Sequence, residues 1–176
     1  MRTKLLKSSA AGFTLIELIV VMVMIGVLFS IAAPGWLAFA NRQRVNSVRD
    51  ELLQEIRRAQ ATAAQTRRDQ QFTVIPENPP NVPWRVQVAP PGTSLGSQAR
   101  DLGNGQVQGG VIRIEATNNI RSLVFDERGN LVTSEELPPD GLKFTVSLAS
   151  NPNVRSCAIV QTLLGATRSG RGNECN

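Results

Sequence analysis

The sequence predicts an α+β chain: one long N-terminal helix, apolar in its first half and amphipathic in its second, followed by a β-rich head. Three observations carry the prediction. Leu18 to Ala40 contains no charged residue. Val45, Val48, Leu52, Ile56, Ala59 and Ala63 then recur at spacings of three and four, the stripe of an amphipathic helix. From Gln70 onward the chain turns into short β-rich runs broken by Pro and Gly. A length of 176 residues suits one domain, or one domain with an appendage, and excludes a multidomain machine.

Composition narrows the function classes. With 41% hydrophobic and 19% charged residues the chain is not disordered, and its apolar residues are concentrated near the start. The formal net charge is +5, but Arg2, Lys4 and Lys7 precede the apolar block, so the remainder is only mildly basic. There is no His and no Tyr, and there are two Cys. That removes the Ser-His-Asp and Cys-His pairs and the usual zinc sets, so neither enzyme chemistry nor a metal or other cofactor is expected.

The uncharged run of about 23 residues is long enough for a helix to cross a hydrocarbon core of roughly 30 Å. Three fates compete for it: a removed secretory signal, a single-span anchor, or a helix retained after a cut upstream. Ser30-Ile31-Ala32 is a small-x-small triplet that supports the first. Glu17 argues against it, since a carboxylate at the centre of a bilayer costs roughly 2.5 to 3.5 kcal/mol, less toward the edge, and needs a use.

Around that acid stands Gly12-Phe13-Thr14-Leu15-Ile16-Glu17, which resembles the processing signal of the type IV pilin-like family. The resemblance implies that residues 1–12 are a leader, that a peptidase on the cytoplasmic side cuts after Gly12, and that the new N-terminal Phe13 is methylated. It implies that Glu17 is the family's glutamate just inside the mature chain, that residues 13–40 form the membrane and assembly helix, and that Pro34 stands where such helices often kink. The basic leader fits, because positive charge holds that end in the cytoplasm. The expected partners are other pilin or pseudopilin subunits, the prepilin peptidase and methyltransferase, and inner-membrane lipid, with the head on the periplasmic or extracellular side. An isolated Glu17 in lipid would protonate or seek the interface. In a bundle it can neutralise the free amine of a neighbour's Phe13, which favours assembly.

Residues 41–69 continue the helix out of the membrane. Its other faces carry Arg42, Arg44, Arg49, Arg57, Arg58, Arg67 and Arg68 against Asp50, Glu51, Glu55 and Asp69, and they read as solvated. Glu55 can pair with Arg58, whereas Glu51 and Glu55 repel. From Phe13 to about Thr66 such a helix would be roughly 80 Å long. In residues 70–176 strands are predicted over 71–75, 84–89, 111–116, 122–126, 130–133, 142–148 and 156–162. Glu127-Arg128-Gly129-Asn130 reads as a tight turn with Gly129 free to take positive φ. The stretches 76–83 and 90–110 read as loops, the second long enough to be functional or mobile.

This layout, with Phe125 and Gly129 in the hairpin and a Gly-Arg pair near the C-terminus, resembles the minor pilins and pseudopilins of the GspH/FimT type. The resemblance implies a β-sheet or sandwich head laid against the helix, low copy number and a place near a filament tip, in a type IV pilus or a type II secretion pseudopilus. Cys157 and Cys175 lie 18 positions apart in a segment expected to face an oxidising exterior, where a disulfide is the default over free thiols. Between them, the glycine-rich stretch 165–173 bears Arg168 and Arg171, which a flexible loop could present to phosphates, to solvent or to a neighbouring subunit. Some FimT-like minor pilins bind DNA for uptake through a C-terminal Gly-Arg-x-Arg motif, which makes DNA a further partner and DNA uptake in transformation the alternative function. Here Gly170-Arg171-Gly172-Asn173 lacks the second arginine, and Arg168 precedes the motif instead of closing it.

Overall fold

The computed structural model describes residues 12–79, 82–103, 105, 107–133 and 137–176, and of Ala33 and Pro34 the backbone alone. All of the leader except Gly12 therefore lies outside the described residues, as does the Pro34 side chain. Helix α1 (Leu15–Thr66) is continuous for 52 residues, about 78 Å at 1.5 Å per residue. A boundary between two compact units falls between Phe39 and Ala40.

In the first unit, Leu15–Ala32 is long and apolar enough to cross a membrane, and none of it is buried. In the second unit the predicted stripe is the buried face: Val45, Val48, Leu52, Ile56, Ala59 and Ala63 are inaccessible, and Leu53 extends the row. The helix stops without a glycine. Arg67 adopts a left-handed conformation (φ 51°), and the Arg68 N–H reaches back to the Ala63 carbonyl at 3.3 Å, satisfying one of the last unpaired carbonyls.

The head is built of two antiparallel sheets. Strands β1 (Gln70–Ile75), β2 (Arg85–Ala89), β3 (Arg100–Asp101), β5 (Ser122–Phe125) and β6 (Leu131–Val132) form one, in the order β3-β2-β1-β5-β6. Strands β4 (Ile112–Ala116), β7 (Leu142–Leu148), β8 (Arg155–Val160) and β9 (Thr167–Arg171) form the other, in the order β4-β7-β8-β9. The alternation in β1, with Gln70, Phe72 and Val74 buried, gives one apolar face. The inner faces of both sheets and the helix stripe share a single core. Phe72 of β1 meets Phe144 of β7 edge to face, with ring centroids 5.6 Å apart. The Trp84 indole N–H donates to the Ile112 carbonyl at 3.1 Å, tying the approach to β2 onto β4. Each large apolar side chain buried here contributes roughly 1.5–3 kcal/mol.

The hairpin between β5 and β6 has the expected turn. Gly129 takes φ 81°, and the Asp126 carboxylate accepts the N–H groups of Arg128 and Asn130 at 2.9 and 2.7 Å. Three expectations are corrected. The stretch 165–173 is not a flexible loop: Thr167–Arg171 is strand β9, paired with β8, and Gly172–Cys175 is a 3₁₀ turn. The stretch 90–110 contains β3, and Leu102 and Val107 are buried in the core. Finally, the charged face of α1 is not wholly solvated, since Arg49 and Glu55 are buried.

Candidate functional site

At the N-terminal end, Gly12, Phe13 and Thr14 precede the helix, and Phe13 is 80% exposed. Thr14 caps α1: its hydroxyl oxygen accepts the Glu17 N–H at 3.2 Å, and its carbonyl accepts the Leu18 N–H at 3.2 Å. Thr-x-x-Glu with the threonine at the cap is the capping-box spacing, a local signal of a helix start that hydropathy and composition do not carry. The cap puts the Glu17 carboxylate in the first turn, where the positive end of the helix dipole favours a negative charge. Pro34 lies within the helix, which passes through it without interruption.

At the other end of the chain Cys157 and Cys175 are joined by a disulfide, with Cα atoms 5.5 Å apart. Gly170, opposite Cys157 in the β8–β9 register, leaves room for this bridge. A Cβ there would stand 2.8 Å from the Cys157 Sγ and 3.1 Å from the Ile159 Cδ1. The Gly-Arg pair thus has a packing reason in its first residue. The structure does not bring Arg168 and Arg171 together. Three positions apart on one strand, they point to opposite faces. Arg168 lies 3.5 Å from the Glu174 carboxylate, which also accepts the Arg171 N–H at 3.2 Å. The Thr167 hydroxyl accepts the Arg57 Nε–H at 2.9 Å, tying β9 to the helix.

Two acids on α1 fasten the segment around β3. Glu55 pairs with Arg100 at 3.0 Å and with Arg58 at 3.6 Å, and the Glu51 carboxylate accepts the Gly103 N–H at 2.6 Å. Burial pushes the Glu51 carboxyl above its usual range, with Glu55 adding to the rise, while the Gly103 N–H and Arg100 oppose it. Asp126 is held below the usual carboxylate range, first by the Asn130 N–H. Among the described residues no three His, Cys, Asp or Glu side chains gather where they could hold a metal ion.

Residues 7–33 match the family described as the prokaryotic N-terminal methylation motif. Among curated proteins none matches the chain. The fold is similar to that of the Pseudomonas aeruginosa type IV minor pilin FimU (strain PAO1) in two crystal forms. One gives a TM-score of 0.53 at 15% identity, over 78% of this chain and 95% of that one. The other gives 0.51 at 15% identity, over 74% of this chain and 99% of that one. The chain thus carries an N-terminal methylation motif, and its α+β fold is similar to that of a type IV minor pilin.

Proposed function

We propose that the chain is a structural, non-enzymatic subunit, a minor pilin or pseudopilin that acts by assembling. It is cut after Gly12, methylated on Phe13, held in the inner membrane by a single pass over residues 13–40, and built into a type IV pilus or a type II secretion pseudopilus near its tip. The observation that carries this reading is the methylation motif set on a capped helix whose Leu15–Ala32 surface is left uncovered by the described residues. Such a surface needs lipid or other helices around it. Glu17, in the first turn, is the group that then pairs with a neighbour's Phe13 amine. The similarity in fold to a minor pilin supports the same reading.

Intact mass or N-terminal sequencing of the protein from membranes tests it. The expected mature chain begins at Phe13 and carries one added methyl group, and Gly12→Leu leaves the precursor uncut. A mature start at Ala33 would replace this reading with a secretory signal.

A further inference from the structure

We propose that the head carries a phosphate-binding cleft where α1 passes β8 and β9, and that it takes the headgroup phosphate of an anionic phospholipid. The cleft has a volume of about 340 Å³, and Arg42, Asn46, Asn153, Arg155, Ser156 and Arg171 contribute its polar lining. Three of these six are arginines and none is an acid. Neither Arg42 nor Arg171 forms an ion pair among the described residues, whereas Arg49, Arg58, Arg100 and Arg168 do. Arg155 is held by the Asn176 side chain, to which its Nη1 donates. The Ser156 hydroxyl donates to the Asn46 Oδ1 at 2.9 Å, fixing the floor between helix and strand. Arginines that line one cleft whose wall includes no acidic residue are satisfied by an oxyanion that accepts from more than one of them.

The place of the cleft along the chain selects the source of that anion. This step rests on the reading that residues 13–40 lie in a bilayer. Arg42 stands two residues beyond Ala40, the last of the uncharged run, about 3 Å further along a helix axis. The headgroup layer is about 5–7 Å deep on each side of the hydrocarbon core. Trp36 and Phe39, with ring centroids 5.9 Å apart and both exposed, are the aromatic pair expected at that boundary. Arg42 therefore enters the layer where lipid phosphates lie, and Arg155 and Arg171 face the same cleft. The lipid would be held while the subunit waits in the membrane, and released when the subunit is drawn out.

The test uses the full chain reconstituted in vesicles of three parts phosphatidylcholine to one part phosphatidylglycerol, followed by native mass spectrometry of the extracted protein. The expected result is one phosphatidylglycerol retained per chain in preference to phosphatidylcholine. Basic residues near an anionic surface contribute about fivefold each. Arg42→Ala with Arg171→Ala is therefore expected to reduce retention roughly 25-fold, whereas Arg68→Ala with Arg128→Ala, the same loss of charge elsewhere, leaves it unchanged. Arg42→Lys with Arg171→Lys should keep most of it, which separates charge from folding. The lipid preference of the unaltered chain tests the proposal even if a variant does not fold. Equal losses in both alanine pairs, or no preference for phosphatidylglycerol, overturns it. So does displacement of the lipid by soluble glycerophosphoglycerol at the same phosphate concentration, or by a DNA duplex that binds through the same arginines. A chain that does not float with vesicles sinks the membrane reading as well, so the two failures are distinguishable.

Discussion

The Gln60 side chain donates from its Nε2 to the carbonyl oxygen of Gly129, 2.9 Å away. The same nitrogen donates to the Leu164 carbonyl at 2.8 Å. One amide on α1 thus holds two turns, the β5–β6 hairpin and the connection between β8 and β9. Gly129 leaves room for it, since a Cβ there would stand 3.3 Å from the Gln60 Cγ.

Replacing Gln60 by Ala frees both carbonyls. A lost hydrogen bond to a partly buried group costs about 1–2 kcal/mol, so the thermal midpoint of the head, followed by circular dichroism, is expected to fall. Hydrogen exchange should quicken at both turns together. Exchange that rises at only one would show that the two are held separately.

The bridge between Cys157 and Cys175 closes a loop in the last part of the chain. Cys157→Ser with Cys175→Ser is expected to lower stability by about 3 kcal/mol, from the freedom restored to the unfolded chain. Gly170→Ala keeps the bridge but crowds the Cys157 sulfur, at a cost of about 1–3 kcal/mol. Chemical denaturation measures both, and a Gly170→Ala protein as stable as the parent would mean that β9 can move aside.

For Glu17 the expected outcome of Glu17→Gln is normal cutting with reduced recovery in sheared filament fractions. The amide keeps the size of the side chain and removes the charge that a neighbour's Phe13 amine would meet. Immunoblotting the filament and membrane fractions checks this, and equal recovery of variant and parent counts against the pairing.

Glu51 gives a pH dependence whose sign can be worked out. Its folded pKa stands above the ordinary value of 4.5, so the folded state holds the proton more tightly than the unfolded chain. Its contribution to stability is fullest at low pH and falls as pH rises through the folded pKa. Glu51→Gln keeps an acceptor for the Gly103 N–H and loses the charge. Thermal midpoints of the variant are expected to vary less above pH 4.5 and to be higher at neutral pH. An unchanged slope would show that burial of this carboxylate is not what sets it.

The helix was legible because its signals are local. An uncharged run and a stripe at spacings of three and four can be seen in any short window. Strand β9 was not, because Thr167-Arg168-Ser169-Gly170-Arg171 is polar and glycine-bearing, and only its pairing with β8 makes it a strand. β3 is likewise two charged residues whose place depends on Trp84 and on acids about fifty positions away on α1. Arg49 follows the apolar Val48 and reads as solvated. In the structure it is buried, with its guanidinium against Asp50 and Asn46. The processing motif was visible as residue types, while its helix cap needed Thr14 and Glu17 to be read as a pair.

The sharing of one apolar seam by α1 and both sheets has a mechanical consequence. Val48, Leu52 and Ile56 lie in the same core as Phe72 of one sheet and Phe144 of the other. A pull along the helix loads the two sheets together, across a broad area of packed side chains. Neither sheet can be peeled off while the other holds, so the head resists traction as one block up to the force that opens all of it.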